Sequence, residues 1–317
     1  MIKKYWFVLG LLIIFTLTVI DTTGTISEVG KWLKANKGPN IVIISIFFFS
    51  GIILNTEKIK FGLKDIKCVF ISLALIFIIA PAIAVFFCMT KLDTGIKIGI
   101  FLVAVMPTTL SSGVVMTEAA GGNMAHALVI TILSNFLSIV TIPVTLSFLL
   151  LQIGDASVIE MDRLSIMLKI AFVIVLPLCL GLAVRQYIKS FLDRFVFKLQ
   201  ILNQILVLSI VWMAVSSARN TFIDSINMSG TILLVVVVFH GIILVSAVLL
   251  ISFFKIKKES KASLIFMGGQ KTLPLSVILQ VSLFPQYKIA LLVCVAHHIS
   301  HLVMDGWLVG RFKHAKN

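Results

Sequence analysis

Pro107-Thr108-Thr109-Leu110-Ser111-Ser112-Gly113-Val114 and Gln270-Lys271-Thr272-Leu273-Pro274-Leu275-Ser276-Val277 are polar, proline-bearing interruptions in otherwise apolar runs. Laid one on the other, Pro107 over Gln270, they are identical at Thr109/Thr272, Leu110/Leu273 and Val114/Val277. Proline removes a backbone donor, and hydroxyls or glycine tolerate unwound chain. Inside a bilayer such chain survives only where protein or a wet cavity covers it. The ends of the half-helices then present free N–H groups and a positive dipole end, which suit an anionic group. Thr108, Thr109, Ser111, Ser112, Gln270, Lys271 and Thr272 are therefore candidate binding residues.

Working outward from these breaks, the chain reads as membrane-embedded. Of its 317 residues, 59% are hydrophobic and 13% charged, against about 25% charged in soluble domains. The mean hydropathy is +1.12. A soluble enzyme, a disordered protein and a nucleic-acid reader are excluded, despite a net charge of +14. Ten apolar runs are long enough to span, at about 5–21, 39–55, 68–90, 97–117, 124–151, 165–187, 199–218, 231–254, 262–281 and 287–310. None alternates strictly enough for a barrel strand, so the fold class is all-α. The first run follows Lys3 and Lys4 but precedes no small-x-small cleavage site, and is expected to be a retained helix.

The offset that lays one break on the other also superposes the runs: 5–21 on 168–184, 39–55 on 202–218, 68–90 on 231–253, and the interrupted fourth on the interrupted ninth. Each unit, about 1–155 and 164–317, holds five runs. An odd number makes the second unit enter from the opposite face, and inverted repeats are the architecture of secondary transporters. The whole chain is expected to be one membrane domain. With ten crossings, one side holds 17 of the 27 basic residues and the other 9, with Lys271 in neither. The positive-inside rule then places both termini in the cytoplasm of a multi-pass cell-membrane protein.

The fifth and tenth runs match in polarity. Thr131, Ser134, Asn135 and Ser138 face Cys294, His297, His298 and His301 at the same offset. Residues 294, 298, 301 and Asp305 share one helical face. That spacing resembles a metal site, but hydroxyl and amide partners are poor ligands for zinc. A cavity-lining or interhelical hydrogen-bonding face is the favoured reading, so no metal is expected, and proton coupling through a histidine stays open. His126 and His240 read as lone histidines that satisfy helix–helix contacts. Lys271 sits mid-span, where a lysine costs about 2.5–3.5 kcal/mol. It can bind an anion, titrate, or act as a built-in cation near Ser112 and Thr131. No phosphate-binding loop, nucleophile elbow or H-E-x-x-H motif occurs, so an enzyme is not expected.

The Pro-Thr-Thr-x-Ser-Ser break at 107–112 and Gly-Gly-Gln-Lys-Thr at 268–272 resemble the bile acid:sodium symporter family (solute carrier family 10), within it the divergent seventh-member branch. The resemblance implies a panel of helices one, two, six and seven, a core of the other six, and substrate between them. It also implies sodium behind the crossing of helices four and nine. Ser112, Thr131 and Gln270 match the sodium-binding pattern, whereas Gly113, Ala127, Ile76, Phe266 and Lys271 replace polar members of it. The expected function is alternating-access transport of a small organic anion, with Thr108, Thr109, Ser111, Ser112, Thr131, Ser134, Asn135, Gln270, Lys271, Thr272 and His298 as substrate- or ion-binding residues. Membrane lipid is the other partner, nucleic acid is none, no cofactor beyond a sodium ion is implied, and the oligomeric state is open. A non-transporting membrane sensor and a cation/proton exchanger are the alternatives.

Overall fold

The computed structural model describes residues 2–54, 65–109, 112–153, 162–187, 194–224 and 226–314, and every regular element among them is helical. In chain order they are α1 (Ile2–Ile20), α2 (Thr25–Ala35), α3 (Gly38–Ile53), α4 (Ile66–Cys88), α5 (Thr94–Ala104), α6 (Ser112–Ala119), α7 (Met124–Leu151), α8 (Arg163–Tyr187), α9 (Val196–Asp224), α10 (Ser229–Phe253), α11 (Lys258–Gly269), α12 (Leu273–Leu283) and α13 (Lys288–His314). A single-turn 3-10 segment, Ile226–Met228, precedes α10. Seven helical segments among the described residues are long and apolar enough to cross a membrane, or eight if the bent pair Leu9–Ile20 and Thr25–Ala35 is one span. α3 and α5 are apolar but shorter.

Local sequence explains the helix ends. Asp65, Asp93, Asn123 and Asp162 accept backbone N–H bonds at the starts of α4, α5, α7 and α8, each satisfying donors that a first turn leaves orphaned. Prolines stand in the first turns of α3 and α12, where a missing N–H costs nothing. Pro81 and Pro177 fall inside α4 and α8, and each follows a π-turn, Leu75–Ile79 or Ala171–Val175. A proline ring collides with the carbonyl four residues back, and the wider π-turn accommodates it.

The helix bounds repeat at the sequence offset. Moved by that offset, Met124–Leu151 becomes 287–314, and α13 is Lys288–His314. Ile66–Cys88 becomes 229–251, against Ser229–Phe253 for α10. The gap between α5 and α6 likewise falls on the gap between α11 and α12. This is an inverted-repeat helical architecture. The apolar runs do not announce α2, which lies between the first two of them. Its mixed sequence, with Glu28, Lys31 and Lys34 among apolar residues, breaks up an apolar run yet makes an amphipathic helix. Gly24, at φ +75°, turns the chain through 108° between α1 and α2, and Asp21 accepts the N–H groups of Thr23, Gly24, Ile26 and Ser27.

The helices form two groups. α3 packs on α8 and α9, while α1 and α2 lie on α9. α3 and α8 cross at backbone distance: a Cβ on Gly51 would lie 2.3 Å from the Leu178 carbonyl, and one on Gly181 2.1 Å from that of Phe48. In the second group α13 packs on α5 and α10, and α11 on α4, α6, α7 and α10. The groups meet where α9 and α3 face α12, α9 and α1 face α13, and α7 faces α8.

Candidate functional site

The two breaks touch. The Thr272 N–H donates to the Pro107 carbonyl at 3.1 Å, one unwound strand satisfying the other. Gln270, the first residue after α11, carries the side-chain links. Its Oε1 accepts the Thr109 hydroxyl at 2.8 Å and lies 2.9 Å from Ser112 Oγ, while Ser112 Oγ is 3.0 Å from Thr109 Oγ1. Its Nε2 donates to Asp305 Oδ2 at 2.9 Å and contacts Met116 Sδ. Thr108 is buried, and its hydroxyl has no partner. Ser111 lies outside the described residues.

Lys271 is only 2% exposed. Its ammonium donates to the carbonyls of Ile76 (2.9 Å), Ala104 (3.0 Å) and Met106 (3.1 Å), using all three protons. The cradle follows from the backbone. At the π-turn of α4 the Ala80 N–H bonds Leu75 rather than Ile76, and Pro81 has no N–H to give. The Ile76 carbonyl is left without its helical donor. Ala104 closes α5, whose last carbonyls are orphaned and carry the negative end of the helix dipole. The expected neighbours, Ser112 and Thr131, are therefore not its hydrogen-bond partners. Main-chain oxygens fill that role.

The face of α13 reaches outward. Asp305, 0% exposed, accepts from Gln270 and lies 3.1 Å from His240 Nε2 of α10 and 3.9 Å from His301 Nδ1. His301 Nε2 and His298 Nδ1 share a hydrogen bond of 2.9 Å. His297 stacks edge-on against His240. His240 Nδ1, His297 Nε2, His298 Nε2 and His301 Nδ1 are buried without a hydrogen-bond partner. His240 thus satisfies a helix–helix contact, as expected, and does so with a carboxylate. Its partner stands on a different helix, far along the chain, where sequence spacing gives no hint of it.

The matching face of α7 turns inward. Thr131 donates to the Ala127 carbonyl, Ser134 and Asn135 to that of Thr131, and Ser138 to that of Asn135, all within the helix. A second group, half-buried Asp65 with buried Cys68 and His126, brings its ligand-type atoms within 4.8 Å of one another. Ser260 of α11 already knits it together, donating to Asp65 at 2.7 Å and lying 3.1 Å from His126 Nδ1.

A cavity of about 60 Å³ lies between the two helix groups. Phe7, Ser50, Asn203 and Gln204 line it from one group, and Thr109, Ser112, Thr272 and His298 from the other. Ser112 opens α6, and Thr272 immediately precedes α12, so two helix N-termini face this space. Of the expected site residues, the cavity gathers Thr109, Ser112, Thr272 and His298. Gln270 stands behind them. Thr131, Ser134, Asn135 and Lys271 do not line it.

The side chains implied for sodium do not form its ligand set. A hard cation needs several free oxygens, but Gln270 Oε1 already accepts a hydroxyl and Gln270 Nε2 is a donor facing Asp305. A side chain on Gly113 would place its Cβ 2.7 Å from Met267 Sδ and 3.0 Å from Thr109 Oγ1. Ile76, Ala127 and Phe266 are buried hydrophobic residues that offer no side-chain oxygen.

Residues 5–314 match the model of the SBF-like CPA transporter family. Over 331 residues the chain is 28% identical to sodium/bile acid cotransporter 7-B of Xenopus laevis, an alignment covering 98% of this chain and 92% of that protein. It is 26% identical to sodium/bile acid cotransporter 7 of Mus musculus, with 98% and 93% covered. It is also 28% identical to the probable sodium/metabolite cotransporter BASS4, chloroplastic, of Arabidopsis thaliana, with 83% and 63% covered. These relatives are transporters rather than enzymes and belong with the bile acid:sodium symporters. The pairing of two breaks in a repeated helical chain thus has its counterpart in descent: the protein belongs to the SBF-like CPA transporter family.

Proposed function

We propose that the protein is a secondary transporter of a small organic anion, working by alternating access between the group of α1, α3, α8 and α9 and the group containing the crossed breaks. In this reading α5–α6 and α11–α12 are each one broken span, giving ten crossings in two inverted units with both termini cytoplasmic. The observation that carries it is the cavity between the groups, faced by the N-termini of α6 and α12 and by neutral donors from both sides. Helix N-termini favour negative charge. The tethered ammonium of Lys271, already seated on three carbonyls, supplies the fixed positive charge at the crossing, so no alkali cation is required.

The test is uptake of a panel of labelled organic anions into proteoliposomes, in sodium and in potassium media. Saturable uptake in both media supports the reading. A tenfold affinity gain in sodium, about 1.4 kcal/mol of coupling, would refute the sodium-independent part. A folded protein that moves none of the anions would refute transport and favour a membrane sensor. Cysteines introduced beside Lys4 and at Lys313 should both be shielded from an impermeant reagent applied outside intact cells. Labelling of one alone would break the inverted topology.

A further inference from the structure

We propose that Asp305 and His240 form the binding site for a coupling proton, that His301 and His298 connect it to the cavity, and that Gln270 transmits its occupancy to the anion site. The proposal takes the transporter reading for the solute it couples to, but the proton site stands on its own geometry.

Asp305 is fully buried yet meets no Lys or Arg side chain within ion-pair distance among the described residues, only His240 at 3.1 Å and His301 at 3.9 Å. The other titratable groups of this region are His297 and His298 on the same helix and Lys271, whose ammonium is turned to α4 and α5. Cys294 stands apart at 1% exposure, about three turns before Asp305 on α13. Among the described residues α1, α5, α6, α9 and α12 add no titratable side chain to these hydrogen bonds and ring contacts. Four imidazole nitrogens of the cluster have no hydrogen-bond partner. Buried polar atoms seldom go unpartnered, and imidazoles can take up or pass on a proton at such positions.

The relay balances atom by atom. A proton from the cavity binds His298 Nε2, and the proton on His298 Nδ1 passes along the 2.9 Å bond to His301 Nε2. The proton on His301 Nδ1 then crosses to Asp305 Oδ2, after the two close from 3.9 Å by about 1 Å. One O–H bond forms on the carboxyl, and both imidazoles end neutral in the other tautomer. No oxidant or second reactant is involved.

Gln270 makes the event consequential. An ionised Asp305 only accepts, so the amide must face it with Nε2 and hold the Thr109 and Ser112 hydroxyls on Oε1. A protonated Asp305 donates. The amide then turns over, presents Oε1 to Asp305, and offers Nε2 to the two hydroxyls. Thr109 and Ser112, which line the cavity, become acceptors toward Gln270 and free their own O–H groups for an anion. Proton and anion thus bind together, each raising the affinity for the other.

The probe is the proton itself. Purified full-length protein in lightly buffered detergent is acidified from about pH 8 to pH 5, the range in which imidazole chemistry operates, and bound protons are counted. Asp305→Asn should take up about one proton fewer than wild type, and an equal count overturns the proposal. Infrared difference spectra of wild type over the same interval should show a new protonated-carboxyl band. Its absence overturns the proposal even if the variant fails to fold. His298→Gln should keep the Asp305 proton and slow its uptake after a pH jump at least tenfold, and an unchanged rate removes the relay. The transport reading fails separately: a titrating Asp305 in a protein that moves no anion sinks transport and leaves the proton site. Anion uptake with the wild-type pH profile in Asp305→Asn does the reverse.

Discussion

α7 and α13 occupy equivalent places in the two halves, and their polar residues stand in the same register, yet they use them in opposite ways. Hydroxyls and a short amide on α7 donate back to carbonyls of the preceding turn, so these donors are satisfied within the helix, while Asn135 Oδ1 is left without a partner. The imidazoles and carboxylate of α13 instead bond one another and reach α10 and Gln270. One helix became scaffold and its mate became wiring. The breaks divide labour in the same way: the first helps supply bare carbonyls, the second the ammonium that fills them. Symmetry of backbone therefore implies nothing about symmetry of chemistry.

The sharpest way to break the contrast between the two breaks is Lys271→Met. It leaves three buried carbonyls without donors and should cost about 3 kcal/mol or more, allowing for the desolvation it relieves. Chemical unfolding of the purified protein measures this, and a loss below about 1 kcal/mol would mean that water replaces the ammonium at no cost. Asp305→Ala comes next. It strips partners from Gln270 Nε2 and His240 Nε2 and should cost about 2–3 kcal/mol in the same assay. The equivalent face should be far more tolerant. Thr131→Val and Ser138→Ala remove bonds made within one helix and should each stay below about 1 kcal/mol. A loss as large as that of Asp305→Ala would erase the distinction between scaffold and wiring.

The smallest effect lies at the α1–α2 bend, a feature the other half does not show among its described residues. The Thr23 hydroxyl, with the N–H groups of Ser27, Ile26 and Gly24, holds the Asp21 carboxyl below its usual value despite partial desolvation. A folded-state pKa below the unfolded one stabilises above the unfolded value, near 3.8, and that gain disappears as pH falls through the folded value. Asp21→Asn should lower the melting temperature slightly at pH 7 and leave it unchanged in strong acid. A difference that persists in acid would assign the effect to packing alone.

Much of the helix order is legible because two polar interruptions sit at a fixed offset in an apolar chain, a signal that side chains write directly. α2 escapes because its charges interrupt an apolar run while preserving a helical stripe. Lys271 is conspicuous, but its partners are main-chain oxygens, which no residue type announces. The nearest clue is Pro81, in the turn after Ile76, which forces the π-turn and withholds a donor. The link between Asp305 and His240 is invisible for another reason: a contact between helices distant in the chain leaves no local pattern. Of the expected anion-site residues, Thr109, Ser112 and Thr272 at the breaks line the cavity, whereas the hydroxyls of α7 fold back on their own backbone.

The paired approach of Gly51 and Gly181 has a mechanical meaning. Where two helices touch main chain to main chain, no side chain is left to change rotamer and absorb a displacement, so that point resists sliding. α3 and α8 come from different halves of the chain, and fastening them there makes their group a stiff plate. Under the proposed alternation, displacement would fall on the seam around the cavity, which Phe7, Ile46 and Val207 line from one group and Leu273 and Pro274 from the other. In the proposed alternation the plate would act as a lever with its fulcrum built in, and Gly181→Leu, by prising the two helices apart, would turn a rigid rocker into a hinged one.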